Sequence, residues 1–105
     1  MGFFYRVQET LGAGVTDIFR LKKWKQDAYD RAIATLTLAV SANFTSAQLT
    51  IGNDIVMEWD SADTTLTNAA VARMVAVKVP AGAQVQLSVT MAGAGNAICE
   101  LVFAT

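Results

Sequence analysis

The 105-residue chain has no histidine, one cysteine and one proline, and each shortage removes a class of chemistry. Without histidine there is no Ser-His-Asp or Cys-His nucleophilic pair. The commonest general base near neutral pH and the usual transition-metal ligand are missing too. A single thiol cannot complete a structural zinc site or an internal disulfide, and Cys99 therefore fits a reducing compartment. Its neighbours Ile98 and Leu101 point to a buried thiol that acts as a small hydrophobe. Charge is scarce as well: 16% of residues are charged and the net charge is -1. The usual charged share is about 25%, so colloidal repulsion is weak and self-association is one way to cover apolar surface. No run approaches the roughly 20 apolar residues of a membrane span. No signal-peptide pattern opens the chain, and Arg6 stands where myristoylation wants Ser or Thr.

What is present reads as strands. A chain of this size can bury about two-thirds of its unfolded surface around one core, and 53% of it is apolar. Residues 31–40 alternate, with Ala34, Leu36, Leu38 and Val40 on the face expected to point inward and Ile33, Thr35 and Thr37 opposite. Residues 47–51 and 54–59 flank Gly52-Asn53, a pair suited to a tight hairpin. Residues 73–79 alternate again and stop at Pro80, which lacks the N–H that a ladder needs. In residues 84–91 Val85, Leu87, Val89 and Met91 face one way, and Gln84, Gln86, Ser88 and Thr90 the other. The Gly93–Asn96 turn then leads into residues 97–103, which are expected to form an antiparallel hairpin with the preceding strand. Residues 3–10 and 17–24 are read as strands joined by Gly12-Ala13-Gly14, with a helical turn expected near residues 26–29 and a long connection over residues 60–72. The sum is a single all-β domain over residues 1–105. It is an antiparallel β-sandwich, jelly-roll-like, of about seven or eight short strands. Residues 1–30 are either an edge segment of this sandwich or an assembly arm.

No residues present themselves as catalytic or cofactor-binding. Asp54, Glu58, Asp60 and Asp63 form the one acidic cluster, but their spacing matches neither an EF-type calcium loop nor a glycosidase pair, and a solvated loop is the expected reading. Gly12-Ala13-Gly14 and Gly93-Ala94-Gly95 lack the further glycine and lysine of phosphate loops and read as turns. Asn43-Phe44-Thr45 matches a glycosylation acceptor without a secretory context.

Charge and aromatic residues are unevenly distributed. The first 31 residues carry a net +2 and the remainder -3. Arg20, Lys22, Lys23 and Lys25 interleave with Phe19 and Trp24, as nucleic-acid-binding surfaces do. The overall pI of about 5.1 favours a solvated edge or subunit contact over a dedicated nucleic-acid binder. Phe3, Phe4, Tyr5 and Trp24 are the candidate anchors of a protein interface. Trp59, beside Asn53, Asp54 and Asp60, is the candidate ring for stacking a sugar or another ligand.

With its Ala/Val/Thr-rich β body, short Gly turns, absence of catalytic residues and differently charged N-terminal segment, the whole chain resembles small β-sandwich structural proteins of bacteriophages and related viruses. These include single jelly-roll capsid, decoration and cement subunits. The resemblance implies a symmetric homo-oligomer in a virion shell or appendage, with itself and other virion structural proteins as partners and no cofactor or membrane. The expected location is the virion, or the cytoplasm if the protein is cellular. The competing expectation is a carbohydrate- or ligand-binding sandwich module.

Overall fold

A computed structural model describes residues 2–26, 28–40, 43–60 and 71–104. The eight strands are β1 (Gly2–Leu11), β2 (Gly14–Asp17), β3 (Arg31–Val40), β4 (Phe44–Ile51), β5 (Asp54–Asp60), β6 (Val71–Val79), β7 (Val85–Met91) and β8 (Gly95–Ala104). They form two four-stranded antiparallel sheets, ordered β1-β8-β3-β6 and β2-β7-β4-β5. The ladders pair first with eighth, second with seventh, third with sixth and fourth with fifth. This nesting is the winding of a jelly roll, in which one long folded-back ribbon is rolled into two sheets.

The β4–β5 hairpin closes within one sheet, with Ile51 paired to Asp54 across Gly52-Asn53. Gly52 sits at φ +63°, a conformation that glycine adopts without steric cost. The other consecutive strands lie in opposite sheets. That corrects the expected β7–β8 hairpin: the Gly93–Asn96 turn region carries the chain across the sandwich, and β8 enters the first sheet between β1 and β3.

The inward faces follow a period of two. Val85, Leu87, Val89 and Met91 of β7 meet Ala97, Cys99, Leu101 and Phe103 of β8 in one core with Leu36, Leu38, Val40, Leu49 and Trp59. Each fully buried branched aliphatic or aromatic side chain here contributes about 1.5–3 kcal/mol by leaving water. In β3 the ladder with β8 steps from Ile33↔Phe103 to Thr35↔Val102, so Ala34 is an extra residue there, while the ladder with β6 steps from Ile33↔Val77 to Thr35↔Met74 and places its extra residue in β6. The bulge inverts the phase, and Ile33 joins Leu36 inside while Ala34 leaves the inward face expected for it. A second shift in the β4–β5 ladder makes Val56 the extra residue of β5.

The strand expected over residues 17–24 is not formed beyond Asp17. Asp17 Oδ1 accepts from the Phe19 and Leu87 amides at 3.0 and 3.1 Å, which closes a side-chain turn. Consecutive Ile18 and Phe19 are then both fully buried, which a strand with one inward face cannot achieve. The helical turn occurs at Lys23–Lys25, ahead of the position expected for it, as a single 3-10 turn. Most of the connection expected over residues 60–72 lies outside the described residues, although β6 already begins at Val71.

Candidate functional site

The candidate interface residues start on β1. Val7 and Leu11 are buried, so odd positions of this strand face the core and even positions face outward. Phe4 therefore projects from the outer surface of the first sheet and is 60% exposed. Phe3 has the inward phase, opposite Phe103, but lies at the end of the sandwich and keeps 38% of its surface exposed. The two adjacent phenylalanines thus present rings on opposite faces of one strand.

Tyr5 and Trp24 are instead committed within the chain. Their rings stack with centroids 4.7 Å apart, and Phe19 and Phe103 meet the Trp24 indole edge-to-face at 4.8 and 5.8 Å. Arg31 completes this rim: it is buried, its guanidinium carbon lies 4.3 Å from the Phe103 centroid, and its Nη1 donates to the Trp24 carbonyl. Arg31 was not a site candidate from the sequence. Its position at the start of β3, ahead of an apolar alternation, gave no sign that its stem would be drawn into an aromatic cluster.

The basic segment is folded back on the protein. Arg20 Nη2 pairs with Glu9 at 3.3 Å and its Nη1 donates to the Asp17 carbonyl, while Lys25 Nζ donates to the Arg20 carbonyl at 2.6 Å. Lys23 is exposed and Lys22 half-buried. Two of the four cations proposed for nucleic-acid contact thus brace the turn that carries them.

Trp59 departs from its expected role. It is 1% exposed and packs opposite Ala47 inside the second sheet, so its ring is core and cannot stack a surface ligand. The alternation of β5 turns Trp59 inward and leaves Glu58 and Asp60 outside. Asp54, Glu58 and Asp60 are exposed along this strand, and Asp63 lies outside the described residues. Among the described residues no three His, Cys, Asp or Glu side chains converge on a possible metal position. Around Ser88, the outer face of the second sheet carries Gln48 and Asp17 as register neighbours, with Thr90 and Gln86 alternating alongside. Among the described residues this surface is rich in hydroxyls and amides and has no aromatic platform.

An open cleft of about 520 Å³ lies at the end of the first sheet, lined by Asp30, Arg31, Ala32, Lys78, Pro80 and Ala104. Its floor is shallow because Ala32 is flanked by Ala104 and Lys78 on the adjacent strands. Asp30 Oδ1 accepts from the Ala81 amide at 2.8 Å and Gln26 Nε2 donates to the Gly82 carbonyl at 2.7 Å, tying the segment before β3 to the turn after β6. Asn43, the glycosylation-like position, has φ +74° and donates its side-chain amide to the Ala94 carbonyl, holding two crossovers together. Cys99 is fully buried. Burial, reinforced by the neighbouring Glu100 carboxylate, pushes its thiol pKa far above the ordinary range. Among the described residues no helix is long and apolar enough to cross a membrane.

No protein-family model matches this chain, and no curated protein is similar enough to stand as a relative.

Proposed function

We propose that this protein is a non-enzymatic structural subunit that assembles with copies of itself, in the shell or an appendage of a virion. The observation that carries the reading is the exposure of Phe3 and Phe4 on both faces of an edge strand in a chain of low net charge. Exposed aromatics are typical anchors of protein interfaces, and jelly rolls are a recurrent architecture of capsid subunits. In this reading Phe3 and Phe4 are the contact residues, while Tyr5 and Trp24 stiffen the rim from which they project. The other partners are further structural proteins of the same particle.

Light scattering across a concentration series tests the assembly. The expected result is a closed oligomer that Phe4→Ser weakens without changing the far-ultraviolet circular dichroism. A monomer throughout, with or without the substitution, would overturn the reading.

A further inference from the structure

The two sheets expose four edge strands, and three of them carry features that discourage further pairing. β2 has four residues. β5 is bulged at Val56 and bears exposed Asp54, Glu58 and Asp60. β6 carries exposed Lys78 and runs into Pro80. Short length, bulges, charges and proline are the devices by which sheet edges avoid accepting another strand.

β1 is neither short, bulged nor interrupted by proline. Its ladder with β8 runs through ten consecutive pairs, from Gly2↔Ala104 to Leu11↔Gly95, without a shift. It has no proline and no lysine, and its charged residues Arg6 and Glu9 already face Glu100 and Arg20 of the same chain. An antiparallel strand bonds on alternate residues to each side, so among the described residues one side of β1 retains a regular row of donors and acceptors. We propose that this edge pairs with β1 of a second copy, antiparallel about a two-fold axis, joining two four-stranded sheets into one of eight strands.

The occupant follows from self-complementarity. A two-fold axis brings the same strand to both sides, and an antiparallel register sets like-facing residues opposite each other. The outward row Phe4, Arg6, Gln8 and Thr10 contains one cation among neutral side chains. A register displaced from the Arg6–Arg6 coincidence therefore sets Arg6 against the Phe4 ring or the Gln8 amide of the other copy. The first is a cation–π pair, and the second repeats the Arg6 Nη1 to Gln8 Oε1 bond of 3.2 Å seen within the strand. This inference rests on the assembly reading and names its contact.

The experiment uses the intact chain, measured by light scattering and by amide hydrogen exchange at low and high concentration. Wild type is expected to gain exchange protection at alternate β1 amides as its mass rises. Phe4→Lys combined with Gln8→Lys places three cations at alternate exposed positions of β1, so same-face registers oppose like charges. This variant is expected to halve the mass, lose the added protection and melt as a folded domain. Val15→Lys, at the exposed β2 edge, is expected to leave association unchanged. An oligomer without added β1 protection, or one that survives the double substitution, would overturn the strand pairing and leave assembly standing. A wild-type monomer at every concentration would overturn both.

Discussion

The Tyr5 ring lies over the Trp24 indole at 19° to its plane, joining the first strand to a loop that precedes the third. The loop has one short 3-10 turn, and backbone bonds from Ile18 to Leu87, Arg20 to Asp17 and Lys22 to Phe19 hold it together with its side-chain contacts. Trp24 also meets Phe19 and Phe103, so it is the common neighbour of three rings from three parts of the chain.

Trp24→Ala is expected to destabilise the fold by about 2–3 kcal/mol, combining lost apolar burial with the loss of offset-stacked and edge-on ring pairs. Urea denaturation followed by circular dichroism measures this as a lower midpoint. Exchange of the Phe19 and Lys22 amides, if unchanged, would contradict a pinning role for the ring.

Arg31 is expected to tolerate neither truncation nor exchange for lysine. Its planar guanidinium both covers the Phe103 ring and reaches the Trp24 carbonyl, a geometry that a point-charge ammonium does not reproduce. Arg31→Lys should cost about 1–2 kcal/mol and Arg31→Ala about 3 kcal/mol. Equal midpoints for wild type and the lysine variant would remove the planar contact from the account.

Cys99 is expected to be inert to thiol reagents in the native protein at pH 8 and to react once denaturant is added. Burial raises its pKa in the folded state, whereas the unfolded thiol ionises at about 8.5. The unfolded chain therefore releases this proton first. The stabilising contribution is complete below the unfolded value and declines as pH rises above it. Denaturation midpoints that fall between pH 8 and 10 in wild type but fall less in Cys99→Ala would show the linkage. Rapid native labelling would contradict the burial.

The sequence made the inward faces legible where the alternation is uninterrupted. Val85 to Met91 alternate as expected, a strand forms over Ala97 to Phe103 where one was read, and the Gly52 hairpin forms where its turn chemistry indicated. Facing is a local property, but sheet membership is not. A short Gly-rich turn after Met91 has the same chemistry whether the chain returns beside β7 or crosses to the other sheet, so the mistaken β7–β8 hairpin could not have been detected locally. The Ala34 bulge was hidden for a related reason: one inserted residue reverses the phase without changing composition. The exposure of Phe3 and Phe4 was equally invisible, because phenylalanines near the start of an apolar strand serve a core as readily as an interface.

The nested ladders also govern the order in which the molecule can be made. β4 and β5 can pair as soon as both exist, but Gly2 waits for Ala104 and Leu11 waits for Gly95. Pairings so distant along the chain carry a large loop-closure cost and place folding among the slower topologies, in milliseconds to seconds. During synthesis the aromatic first strand is therefore the longest without its native neighbour. It is the segment on which a chaperone or a premature encounter between nascent chains would act first.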